Sequence, residues 1–153
     1  MNLCFAFAVN EANQFEKKHF GDADKYLIYK QDDNQIKLFS EEINIFKSLD
    51  EEIEHGSKKK GEAIIQFLKE RNVNVLVSRQ FGKNINIVNN HFIPIKISVE
   101  QPDEVLKILG KHLYWIDDEW NNNSSNYSLF TIKSGVLRSS INKSKYYAKN
   151  ETI

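Results

Sequence analysis

Seven consecutive positions from 3 to 9, Leu3-Cys4-Phe5-Ala6-Phe7-Ala8-Val9, are apolar, the pattern of a strand buried on both faces. Runs of β-forming residues at 25–30 and 35–39 flank the turn-rich Gln31-Asp32-Asp33-Asn34 and predict a hairpin, so that the first three strands form a meander. From Ser40 to Leu49 apolar residues mix with acids, and the acidic run Asp50-Glu51-Glu52 follows, which predicts an irregular connection or a short edge element. After Gly56 the apolar residues Ala63, Ile64, Phe67 and Leu68 recur at helical spacing until Arg71-Asn72. Val73 to Val77 reads as a fully buried strand. Gly82 then interrupts the pattern before a short helix carrying Ile85, Ile87 and Val88. Phe92 to Ile97 supplies another strand, with Pro94 expected at its beginning or at an edge. Pro102-Asp103-Glu104 opens what reads as the last helix, with Val105, Leu106, Ile108 and Leu109 on its buried face and Gly110 at its end.

Alternation of strand and helix in this second half calls for parallel strands joined by crossovers, added to the hairpin of the first half. The fold class expected is α/β, a mixed five-stranded sheet flanked by helices, with the strands at 3–9, 73–77 and 93–97 central. Beyond residue 112 the character changes. Trp115 and Trp120 bracket Asp117-Asp118-Glu119, a polar linker runs from Asn121 to Asn126, and residues 127–133 and 136–141 read as a β-hairpin around Ser134-Gly135. The division expected is a domain over 1–112 and a C-terminal extension over 113–153 with a hairpin and a polar tail.

Composition narrows the partners. The 153 residues balance 21 Lys+Arg against 21 Asp+Glu, so no net field draws the chain to nucleic acid or to anionic membranes. The single cysteine, Cys4, lies inside the first apolar run and excludes a disulfide framework or a site of several thiolates. That run is too short to span a bilayer and lacks the basic residues of a secretion signal, so the expected location is cytoplasmic.

His19 stands between two apolar segments, behind Lys17-Lys18 and ahead of a glycine. It reads either as an ordinary loop histidine or as a ligand for a metal or an anion. His55 precedes Gly56-Ser57-Lys58-Lys59-Lys60-Gly61, where two glycines and three lysines at a helix start suit an anion, or else form a solvated loop offsetting the acids at 50–54. Arg79 and Gln80 follow a buried strand at the end where open α/β sheets bind ligands. Arg79 is suited to forked contacts with a carboxylate or phosphate, or to a surface ion pair. His91 and His112 are explained by packing or by charge complementation at helix ends.

Several of these segments fall together in a known order. The opening strand, His19-Phe20-Gly21 with Ala23 and Tyr26, His55-Gly56 with Gly61, and the strand Val73–Val77 running into a glycine-bearing turn make residues 1–112 resemble the dinitrogenase iron-molybdenum cofactor biosynthesis family, the small accessory domains of nitrogenase maturation. The resemblance implies a ribonuclease H-like sheet. It also implies a non-catalytic binding or carrier role for an anionic metal-containing cofactor, of iron-molybdenum or iron-sulfur type, with cofactor-maturation proteins as partners. The residues it points to are His19 as metal ligand, with Phe20, Gly21, His55, Gly56, Lys58, Gly61, Arg79, Gln80 and Gly82 around the cargo. Where the family has a glycine-rich segment after the fourth strand, this chain has Ser78-Arg79-Gln80-Phe81-Gly82 and keeps only the last glycine.

Two other functions stand beside the carrier. A hydrolase of the ribonuclease H type needs carboxylates converging from the first strand, and the strand at 3–9 has none. An adaptor would use the C-terminal hairpin and the Trp-bearing segment to bind protein. The sequence-based expectation is therefore a protein that is not an enzyme, with no nucleic-acid or membrane partner.

Overall fold

The computed structural model describes residues 2–49 and 54–140, with the side chains of 54–58 and 84 set aside. The helix and strand signals above resolve into seven strands: β1 (Cys4–Val9), β2 (Lys25–Asp32), β3 (Gln35–Ile43), β4 (Val75–Ser78), β5 (Ile93–Ile97), β6 (Phe130–Lys133) and β7 (Val136–Ser139). Four helices accompany them: α1 (Glu54–Glu70), α2 (Ile85–Val88), α3 (Pro102–Lys111) and α4 (Leu113–Asn122). One mixed sheet holds every strand in the order β3-β2-β1-β4-β5-β6-β7. Strands β1, β4, β5 and β6 run parallel, while β2, β3 and β7 are antiparallel to their neighbours.

All six residues of β1 are buried because helices cover both faces of the sheet. Leu3, Phe5, Phe7 and Val9 pack toward Val105, Leu109, Leu113 and Ile116 of α3 and α4. Cys4, Ala6 and Ala8 pack the other way, toward Ile64 and Leu68 of α1 and Val88 of α2. Two cores result, one on each face. Burial pushes the Cys4 thiol above its ordinary value, as befits a small core residue. Pro94 is tolerated inside β5 for a local reason. Ile93 donates its N–H to Asn74 on the β4 side at 2.9 Å, so the next nitrogen faces β6, whose pairing begins only at Ile95.

Three expectations are corrected. The sheet has seven strands rather than five, because the hairpin at its C-terminal side does not stand apart. Its strand β6 bonds parallel to β5, and Phe130, Ile132 and Leu137 enter the core shared with Phe5 and Phe7. The turn is a two-residue loop with Ser134 and Gly135 both at positive φ, 53° and 75°. The helix at 102–110 is not the last. Gly110 lies within α3, and α4 follows at once with Leu113 and Ile116 buried and Trp120 stacked on Tyr127 at 4.9 Å. Of its acids Asp118 is exposed, whereas Asp117 and Glu119 are half-buried and Glu119 Oε2 accepts the Ser128 N–H at 2.9 Å. Finally, His55 to Gly61 is not a loop ahead of a helix but the first two turns of α1. The run Asp50-Glu51-Glu52 lies outside the described residues.

Candidate functional site

The carboxyl ends of the parallel strands lie at one edge of the sheet. There β4 leads into α2 on one face and β5 leads into α3 on the other. Adjacent strands whose following segments part to opposite faces leave a crevice between them, which is where open α/β sheets bind ligands. A cleft of about 450 Å³ occupies that position, with Arg79, Gln80 and Gly82 on one wall and Lys96, Ser98 and Leu129 on the other.

Local chemistry fixes the first wall. The buried Ser78 closes β4 and donates its hydroxyl to the Gln80 carbonyl at 2.8 Å, turning the chain sharply. Gln80 then meets the His19 segment in a parallel bridge. Phe20 donates its N–H to the Gln80 carbonyl at 2.9 Å, and Gln80 Nε2 donates to the Lys17 carbonyl at 3.1 Å. Below this seam the Phe20 ring stacks between Tyr26 at 4.7 Å and Phe81 at 5.9 Å. Fully buried Tyr26 donates its hydroxyl to the Phe20 carbonyl at 2.9 Å, and burial raises its phenol far above the ordinary value.

Gly82 is where the two loops touch. Its φ is +70°, and a Cβ there would lie 2.8 Å from His19 Nδ1, so both the backbone and the imidazole demand glycine. His19 itself is exposed, its ring lying against Gly82, which lines the cleft. Gly21 faces α1 instead, where a Cβ would stand 3.4 Å from Ile64 Cδ1 and 3.5 Å from Lys60 Cε.

The structure therefore brings His19 and Phe20 against Gln80 and Gly82, with Arg79 in the same turn, while Gly21 faces α1. Gly61 lies in α1, and the side chains of His55 and Lys58, with Gly56 between them, fall outside those described. Lys60 in the same helix turns inward. Its Nζ donates to Asp22 Oδ1 at 3.0 Å and to the Lys47 carbonyl at 3.2 Å. His91 lies away from the cleft, before Phe92, and burial first, then Lys69, lowers its pKa. His112 sits at the junction of α3 and α4, stacked on Trp115 at 4.3 Å with its Nδ1 buried and unpartnered.

Four contributors escaped sequence reasoning. Buried Asn44 donates Nδ2 to the carbonyls of Gly21 and Ala23, both at 2.9 Å, and so holds the His19 segment from below. Lys96, Ser98 and Leu129 form the second wall. Of these only Lys96 left a signal, as an exposed lysine in an otherwise buried strand. Among the described residues neither Arg79 nor Lys96 has an ion-pair partner. No acid among the described residues lines the cleft. The arrangement offers two uncompensated cations, a hydroxyl and a nearby imidazole, which is chemistry for holding an anion.

A family model described as dinitrogenase iron-molybdenum cofactor matches residues 1–111. The chain belongs to this family. It is associated with biosynthesis of the nitrogenase iron-molybdenum cofactor. The matched residues run from β1 through α3 and contain His19, the turn at 78–82 and both cleft cations. Helix α4 and the β6–β7 hairpin lie beyond the family match, yet Leu129 reaches its cleft. Among curated proteins none matches the chain. No helix among the described residues is long and apolar enough to cross a membrane.

Proposed function

We propose that this protein binds an anionic metal-containing cofactor, of iron-molybdenum or iron-sulfur type, at its carboxyl-edge cleft and passes it between maturation proteins without transforming it. The observation that carries this reading is a cleft lined by Arg79 and Lys96, neither with an ion-pair partner among the described residues, and by Gly82, against which the exposed His19 ring lies. Family membership supports the cargo class. Among the described residues no group of three or more His, Cys, Asp or Glu stands together to build a metal cage. One imidazole beside two cations suits a cargo that arrives assembled, with most of its own coordination satisfied. The order β3-β2-β1-β4-β5 of the first five strands supports the ribonuclease H-like reading of the core, while β1 offers no carboxylate for the hydrolysis such folds support elsewhere.

The test is anaerobic titration with tetrathiomolybdate, a compact molybdenum–sulfur dianion, followed by visible absorption and metal analysis. His19→Ala is expected to weaken uptake by about 10–100-fold with the thermal unfolding midpoint unchanged. Equal uptake by the variant removes His19 from the site. Metal-dependent nuclease or phosphatase turnover by the wild type overturns the carrier reading.

A further inference from the structure

The cleft is not built by the family-matched residues alone. Leu129, immediately ahead of β6, stands on its wall. Two sets of backbone bonds hold that residue in place. Strand β6 pairs with β5 from Ile95↔Phe130 to Ile97↔Ile132, and Ser140 at the end of the hairpin donates its N–H to the Leu129 carbonyl at 2.7 Å. A third link ties the hairpin to the loop after β5. Glu100, 5% exposed, accepts the Ser98 N–H on Oε1 at 3.1 Å and the Gly135 N–H on Oε2 at 3.0 Å. One carboxylate thus spans the cleft residue Ser98 and the hairpin turn.

We propose that the added α4-β6-β7 unit is part of the binding site: Leu129 is a wall that limits the size of the anion admitted between Arg79 and Lys96, and Glu100 is a positioning residue for Ser98. This rests on the reading of the cleft as the anion site. The ligand class is an anionic metal-containing cargo whose surface presents oxygen or sulfur acceptors. Arg79 supplies forked N–H donors, Lys96 a point charge, and Ser98 a hydroxyl, while Leu129 keeps water from one side.

Because Cys4 is buried and is the only cysteine, Ser98→Cys places one accessible thiol in the cleft of the full chain. Its alkylation by iodoacetate and by iodoacetamide reports access without any cargo. The cations favour the anionic reagent, adding Leu129→Trp is expected to slow both reagents about tenfold, and adding Leu129→Ala to speed them about threefold. Circular dichroism checks the fold of each variant, and Leu129→Ala carries the test if the tryptophan disrupts packing. Adding Glu100→Ala removes both acceptor oxygens and, read with the neutral iodoacetamide so that the lost charge does not enter, is expected to speed alkylation about threefold as residue 98 loses its anchor, whereas an unchanged rate overturns the positioning role. Rates independent of residue 129 overturn the wall, whether or not tetrathiomolybdate binds. Failure of the wild type to bind tetrathiomolybdate, with rates that depend on residue 129, counts against the carrier reading and leaves the wall standing.

Discussion

Gly82 and the His19 segment separate two groups of charges that differ in what faces them. On the α1 side three described cations each face an acid at short range. Lys60 meets Asp22, Lys47 meets Asp24, and Arg71 Nε meets Glu42 at 2.5 Å. The bond from Lys47 holds Asp24 below the usual carboxylate range, and Asp24 in turn accepts the Glu11 N–H at 3.0 Å. On the cleft side Arg79 and Lys96 stand without such partners among the described residues. The same residue types therefore do two jobs. A cation facing an acid at short range ties loops to helices, whereas a cation facing an open cleft keeps its donors for something that arrives from solvent.

Substitutions on the paired side should cost stability, and those in the cleft should cost binding. The largest effect is expected at Lys60, whose side chain is 5% exposed against 25% for Asp22. Lys60→Ala leaves Asp22 partly buried and unpaired beneath the His19 segment. It should destabilise the protein by about 2–3 kcal/mol in urea denaturation, less than for a fully buried pair because Asp22 retains some water. A loss below about 0.5 kcal/mol, the range of ordinary surface substitutions, would put Lys60 with the cleft cations instead.

Glu100 comes next and behaves as a satisfied charge of the other sign. Burial pushes its carboxyl up, but N–H groups of Gly135, Glu100, Ser98 and Val99 outweigh burial and hold it below the ordinary value of 4.5. A folded pKa below the unfolded one gives stability that is present above the unfolded pKa and is lost as pH falls through the folded pKa. Glu100→Gln should therefore lower stability by about 1–2 kcal/mol at neutral pH and flatten the decline below pH 4.5. An unchanged acid limb in a pH series of chemical denaturation would show that the clamp between Ser98 and Gly135 carries no charge-dependent stability.

The central strands and the hairpins were legible because their signals are local. The run at 3–9 is apolar on both faces, and Asp33 and Ser134-Gly135 take the left-handed angles their turns require. Helix α4 was obscured because Asp117-Asp118-Glu119 between two tryptophans reads as a polar break, while the spacing of Leu113, Ile116 and Trp120 emerges only when the chain is wound. The start of α1 reads in sequence as a loop because Gly56 and Gly61 are poor helix formers. The continuous helix is instead anchored by Lys60, Ile64 and Leu68 packed at the sheet. In the site, His19 and the turn at 78–82 read from sequence as strand-end loops that converge on one end of the sheet, as they do, but the hydrogen bonds that join them across about sixty residues of chain have no local signature. Lys96, Ser98 and Leu129 come from two further segments that only sheet order brings together. Asn44 gave no signal because a buried side chain donating to two carbonyls looks, in sequence, like any polar residue after a strand.

The unpaired side yields the smallest change in stability and the most direct test. Arg79→Ala/Lys96→Ala should unfold at the same denaturant concentration as the wild type, because no charge is left behind in the cleft. The decisive measurement is the dissociation constant for tetrathiomolybdate, taken anaerobically at low ionic strength for the wild type and this double variant. Loss of two charge-assisted contacts predicts weakening by about 10–100-fold. An unchanged dissociation constant in a folded double variant would contradict the assignment of the cleft cations to an anionic cargo.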